Sequence, residues 1–283
     1  MAELMRLSRP WLQASLRAPT LARSFTTTTS ARAAKPKASR DQMAMMKQPT
    51  FLVPGTLVTP PLRDFPKSPR DFFHFLWVIF KTRLATTGAN VGAKIMSRDG
   101  FWGKTKLNLG RSQAVPTAKA LHVQMSEAVA AGDAETLRTI CYPELAERLI
   151  GQIQRRPRGI RYEWQLAKYN STVSFPRLAD FRAVTMPAAA GGQNQLVKQA
   201  VVSIASTQTI ARYDDNNAGQ LVPGSQRTLE LIEHVVLQSN VNMATWIATP
   251  WKIWGTISHS TYQDYLDEQE GVLTLQKRNA KPR

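Results

Sequence analysis

The sequence predicts an α+β fold, with N-terminal helices packed on a curved antiparallel sheet. Three observations predict it. Apolar residues recur at three- and four-residue spacing between positions 71 and 156, the spacing switches to two at Ile160, and no helical segment separates the strand-like runs that follow. Without crossover helices the connections must be hairpins, which makes the sheet antiparallel.

Taken in order, Asp71 follows Ser68-Pro69 and reads as the N-cap of a helix in which Phe72, Leu76, Phe80 and Leu84 repeat at i+4. A Gly-rich basic connection runs from Arg98 to Arg111. Residues 117–131 read as a helix stopped by Gly132, and Asp133 caps a short helix carrying Leu137 and Ile140. Pro143 opens a third helix over 144–153, where Leu145, Leu149 and Ile153 share a face and Glu144 supports Arg148. Ile160, Tyr162, Trp164 and Leu166 then alternate with Arg161, Glu163, Gln165 and Ala167, a strand with one buried face. Further strands are expected at about 173–185, 196–211, 227–239 and 244–257. Within the last, Trp246 and Trp254 share strand parity, Trp251 opposes them, and Pro250 marks a bulge or an edge. The expected organisation is a leader over 1–32, a Pro-rich basic extension over 33–70, the α+β domain over 71–262 and a charged, peripheral tail over 263–283.

Of 283 residues, 37 are Lys or Arg and 20 are Asp or Glu, a net charge of +17. So large an excess repels itself and calls for an anionic partner, either nucleic acid or an anionic membrane surface. A single cysteine, Cys141, excludes an internal disulfide and a cysteine zinc site, and reads as a small buried hydrophobe. His74, His122, His234 and His259 lie far apart, and neither a Walker loop nor a G-x-G-x-x-G run occurs. Metal, nucleotide and thiol chemistry are therefore not expected, and no cofactor is implied. His234, Glu163, Tyr162 and Asp180 are the acid–base groups a cavity would use, but a lone strand histidine is more often structural. Asn170-Ser171-Thr172 is a glycosylation sequon by pattern only.

Residues 1–32 carry five arginines against Glu3, are rich in Ser, Thr and Ala, and place Leu4, Leu7, Trp11, Leu12 and Leu16 roughly on one helical face. That is the composition of a mitochondrial transit peptide. Arg23-Ser24-Phe25-Thr26 resembles a two-step processing pattern, with a cut after Ser24 and removal of an octapeptide ending at Arg32. Cleavage there removes a net +4 and leaves +13, so the basic character belongs to the working chain. Residues 33–70 hold seven prolines, too many for helix or sheet, and read as an extended arm that stays disordered or lies along a larger partner. The longest apolar stretch, Phe72 to Phe80, has nine residues against the roughly 20 a bilayer needs, so no spanning helix is expected.

Pro54-Gly55, Pro60-Pro61, the Gly132-Asp133 cap, the Cys141-Tyr142-Pro143-Glu144-Leu145 step and Trp251-Lys252-Ile253-Trp254-Gly255 follow the leader in one order. Over about residues 50–260 the chain resembles the family of the mitochondrial large-subunit ribosomal protein forty-five and the fungal membrane-associated mitoribosome receptor. Their domain is similar to the C-terminal domain of the import-motor membrane anchor. The resemblance implies a nuclear-transport-factor-two-like cone near the polypeptide exit of the mitoribosome. Its partners would be large-subunit rRNA, neighbouring ribosomal proteins, an Oxa-type insertase and the inner-membrane lipid surface. The family carries no catalytic motif to transfer.

Three groups of residues are candidates for contact. Arg155, Arg156, Arg158 and Arg161 put four guanidiniums at a helix end entering a strand, matched to phosphate oxygens or merely solvated. Arg98, Lys104, Lys106 and Arg111 surround Phe101 and Trp102, whose rings either stack on unpaired bases or anchor a core. Phe72, Phe73, Leu76, Trp77 and Phe80, followed by Lys81 and Arg83, have the form of an interfacial helix, or of one that closes the open face of the sheet. The expected role is a non-enzymatic, matrix-side, peripheral inner-membrane component of the large mitochondrial ribosomal subunit. The alternative is an import-motor or insertase-associated factor that works without the ribosome.

Overall fold

The computed structural model describes residues 52–100, 103–170, 175–186 and 195–279, all within one compact unit, Met43–Arg283. The leader and the first part of the Pro-rich extension lie outside the described residues. Among the described residues, a 3-10 turn at Leu62–Asp64 is followed by four α-helices: α1 (Pro69–Met96), α2 (Arg111–Ala131), α3 (Ala134–Ile140) and α4 (Pro143–Gln154). Then come strands β1 (Ile160–Tyr169), β2 (Arg177–Met186), β3 (Gln195–Asp214), β4 (Gln220–Leu221), β5 (Arg227–Asn242) and β6 (Lys252–Ile257), and a final helix α5 (Tyr262–Asn279). Every ladder is antiparallel, so this is the expected α+β arrangement, with a six-stranded open sheet.

The helix starts follow local chemistry. α1 begins at Pro69, two residues before the expected cap, because proline needs no donor at a first turn; Asp71 instead faces the dipole from within that turn. α2 begins six residues earlier than expected and carries Pro116 inside it. Gly132, at φ +78°, ends α2 in the left-handed conformation, and the Asp133 carboxylate accepts from the Glu135 and Thr136 amides to start α3. The cation on α3 pairs across to α4, Arg138 with Glu147 at 3.6 Å, and the expected Glu144–Arg148 pair does not form among the described residues.

β3 organises the sheet. Its residues 206–214 pair with β1 and 195–203 pair with β2, so two strands share one side end to end, while β5 runs along the other side with β6 beyond it. One face packs α2, α3 and α4: Ala114, Ala118, Leu137, Leu145 and Ile150 meet Leu196, Ala200, Val202, Ile204, Leu237 and Ile253. The opposite face is covered by the end of the Pro-rich extension, which is extended as expected but buried against its own sheet. Val58 packs on Ala179, Val201 and Val236. The Val53, Leu57 and Val58 amides donate to the side chains of Gln199, Asp180 and Ser260. Arg182, paired with Asp180 at 2.9 Å, donates to the Pro54 and Gly55 carbonyls and clasps this strap to β2.

One expectation fails locally, and one segment left without an assigned structure gains one. The last strand does not begin at 244: the Asn242 side chain accepts from the Ala244 amide, the Trp246 amide donates to Asn242 C=O, and Trp246 sits at φ +57°, so a side-chain-driven turn displaces strand until Lys252. The parity assigned to Trp246 therefore does not apply. The charged tail, expected as a peripheral segment without an assigned structure, is helical over Tyr262–Asn279, helix α5. Thr261 and Asp264 bond each other's backbone amides in a capping box, and Glu268 accepts from the Gly55 amide.

α1 does not close a face of the sheet. It crosses the outer edge of β2, where the buried Asn90 amide donates to Phe181 C=O (2.9 Å) and accepts from Ala183 N–H (3.0 Å), replacing a neighbouring strand. Replacing Asn90 by Ala leaves both backbone groups without partners and should destabilise the protein by about 2–4 kcal/mol in urea denaturation. Asn90→Asp, which keeps the acceptor but loses the donor, should not restore it.

Candidate functional site

Arg155, Arg156, Arg158 and Arg161 lie where α4 hands over to β1. The turn between them requires Gly159. Its φ is +78°, a Cβ there would sit 2.0 Å from the Asn216 side chain, and its carbonyl accepts from the Asp215 amide. Strand register brings in two further cations that a linear reading misses: Tyr162 pairs with Arg212, and Ile210 with Arg227. Not all six are alike. Arg156 is half-buried, donates to Ala130 C=O, lies 4.5 Å from the Tyr162 ring centre, and has its pKa lowered by burial, so it is a packing residue. Arg161 pairs with Asp215 at 3.4 Å and lies over Tyr213. Arg155, Arg158, Arg212 and Arg227 are exposed and make no ion pair among the described residues, although Arg212 lies over the Tyr162 ring. They form an arginine-rich end of the sheet that fits phosphate oxygens without reading bases.

The second basic group is a tongue between α1 and α2. Arg98 bridges to Thr105, and Ser97 accepts from the amides of Lys106 and Leu107 through its carbonyl and hydroxyl. Phe101 and Trp102 lie outside the described residues. Lys106 pairs with Asp99 at 2.6 Å and Arg111 lies 5.7 Å from the Phe181 ring, while Arg98 and Lys104 are exposed. The tongue thus belongs to the β2 half and does not join the arginine end. From Ala200, opposite Phe181, to Arg212 is roughly 40 Å of strand at about 3.3 Å per residue.

α1 is apolar on two sides. Phe75 and Val78 are buried, Phe75 against Phe65 and Tyr262, and Phe72 is half-buried against Phe65. The remaining apolar residues face out: Phe73 is 69% exposed, Leu76 40%, Trp77 61%, Phe80 57% and Leu84 64%, with Val91 and Ile95 exposed further on. At 3.6 residues per turn Phe73, Trp77, Phe80, Leu84, Val91 and Ile95 fall within an arc of about 60°. Exposed Arg70 and Lys81 flank that arc on one side, and Arg83 and Lys94 on the other. Apolar stripes bordered by cations suit a headgroup boundary, where the rings enter and the charges stay at the surface. Among the described residues no helix is long and apolar enough to cross a membrane.

The acid–base groups do not converge. His234 bonds the Ser203 hydroxyl at 2.8 Å, Asp180 is held by Arg182, Tyr162 lies beneath arginines and Glu163 is exposed. Cys141 is buried, which raises its thiol to about 12. A polar group unforeseen from the sequence is buried on the helical face: His122 Nε2 lies 2.8 Å from Glu233, which also accepts from Gln208, itself bonded to the Trp164 indole. Burial pushes the Glu233 carboxyl up, but His122, through its hydrogen bond and attraction, and Gln208 outweigh it and hold the carboxyl below its usual range. Nothing in sequence spacing links positions 122 and 233; only the fold does.

The family model described as MBA1-like protein matches residues 90–280. No curated protein matches the chain. Among solved structures, the chain is similar to the intermembrane space region of the chloroplast protein ARC6, at 11% identity over 55% of this chain and 98% of that one, with a TM-score of 0.28, too low to support any argument.

Burial, then the charges of His259 and Arg177, push the His234 imidazole down to about 4. An unfolded chain takes up that proton near pH 6.5, so stability present above 6.5 is lost as pH falls from there toward 4. Denaturation midpoints should fall across that window, and His234→Asn, whose amide still reaches Ser203, should flatten the decline.

Proposed function

The chain belongs to the MBA1-like protein family, whose members are mitochondrial, ribosome-associated membrane proteins, and on that premise we propose that it is a non-catalytic component of the large mitochondrial ribosomal subunit. It contacts rRNA through the arginine end and holds the ribosome against the matrix side of the inner membrane through α1, beside an Oxa-type insertase. The observation that carries this reading is the arrangement of two unlike surfaces about one long, buried strand. A cationic end and an outward apolar stripe are attached to opposite halves of β3, so a polyanion and a bilayer could be held together without competing for one surface. The tongue cations Arg98 and Lys104 share the α1 half and add positive charge near the lipid.

Affinity for RNA would come mainly from counterion release and fall steeply with salt. In low-salt sucrose gradients of mitochondrial lysate the protein should sediment with the large subunit; migration at the top of the gradient would refute the ribosomal role. RNase treatment should strip it of ribosomal company, whereas indifference to RNase favours a ribosome-independent insertase or import-motor factor.

The two surfaces can be broken separately. Trp77→Ser combined with Phe80→Ser should reduce flotation with anionic liposomes by about tenfold and leave the melting temperature unchanged, since both rings are exposed. Alanine at Arg155, Arg158, Arg212 and Arg227 should weaken RNA binding and flatten its log–log salt slope by roughly 0.7–0.9 for each phosphate left unneutralised, with flotation retained.

A further inference from the structure

A cavity of about 440 Å³ opens between α1, the strap, the β2 edge and α5. Its α1 wall is made of the small residues Thr82, Ala85, Thr86 and Ala89 together with Lys81, and Leu57, Val78 and Val184 add apolar surface. Facing them, α5 contributes Asp264 and Glu268. Asn90 occupies the outer edge of β2 only at Phe181 and Ala183. Successive residues of a strand point their backbone groups alternately to either side, so Ala183 C=O and the N–H and C=O of Thr185 also point outward. Among the described residues those three groups take no partner. Ala183 lines the cavity and Thr185 is exposed beside it.

We propose that this groove binds an extended, cationic polypeptide segment, which adds as a short strand to the free edge of β2 and places its basic side chains against Asp264 and Glu268. Three features select that occupant. An open strand edge offers a ladder that a peptide backbone completes and an acyl chain does not. The small α1 residues leave room for side chains on alternate positions. Of the charged residues that line the groove, Arg182 is already held by Asp180 and the strap carbonyls, so Asp264 and Glu268 face Lys81 alone. The α5 wall is therefore acidic in a chain of net +17, with Asp267 and Glu270 following on the same helix, which favours Lys and Arg over anionic lipid. Both wall carboxylates already accept bonds, Asp264 from Thr261 and Glu268 from Gly55, and each oxygen pair retains lone pairs for a second donor. The site shares Lys81 with the border of the membrane stripe, but none of the stripe's apolar residues and none of the RNA-facing arginines line it.

The test uses the full chain and a fluorescein-labelled peptide of four Lys-Val repeats, read by anisotropy. Binding is expected, with a Glu-Val peptide at least about tenfold weaker. Thr185→Pro removes only an outward N–H from an edge position, where proline is tolerated, and should weaken binding by about tenfold or more while the melting curve and liposome flotation stay as in the parent. Ala85→Trp, which fills the groove from the α1 wall, should do the same. Equal affinity of the parent and both variants, equal affinity for the Glu-Val peptide, or no binding of either peptide would overturn the proposal. So would a phospholipid retained in native mass spectrometry that Ala85→Trp expels while the Lys-Val peptide binds regardless of either substitution.

Discussion

β3 is buried almost continuously from Leu196 to Gln208, and that burial constrains everything around it. A strand with no exposed face needs apolar cover on both sides and hydrogen-bond partners on both edges. Its twenty residues exceed the reach of either ten-residue neighbour, so β1 and β2 divide one edge between them. That division gives the domain two halves. One ends in arginines carried by three strands and a loop. The other exposes a second strand edge, which α1 and Asn90 partly occupy.

Covering both faces explains why the Pro-rich segment is not a free arm over residues 52–60. Helices α2 to α4 fill one face, and the strap fills the other with Val53, Leu57 and Val58. Prolines that forbid regular ladders are compatible with that task, because the strap is held by side-chain acceptors and by Arg182, and needs no register of its own. With both faces occupied, α1 is left at the edge. Its second apolar side has no partner within the described residues, which is the physical origin of the exposed stripe.

Much of this is legible in the sequence. The change of period at Ile160, the Gly132-Asp133 junction and the alternation of β1 emerge as expected, because each depends on neighbours within a few residues. The helical period of α1 is equally legible, but which side it buries is not. Phe75 and Trp77 look alike in composition, and only the position of Phe65 and Tyr262 decides between them. Arg212 and Arg227 join Arg155 and Arg158 through register, which one sequence does not encode locally. Trp246 shows the opposite case, where Asn242 favours a turn over the expected strand. The Thr261–Asp264 capping box is a local signal that the charge of the tail obscures.

The exposed cations of the arginine end come from three separate segments of the chain, Arg155 and Arg158 before β1, Arg212 near the end of β3, and Arg227 at the start of β5. Until β1 and β5 have closed on β3, the chain displays at most a local pair of them. On the proposed RNA-binding role, multivalent attraction to a polyanion would therefore mature together with the sheet. On that reading the order of strands would make docking a property of the finished sheet and not of any single segment.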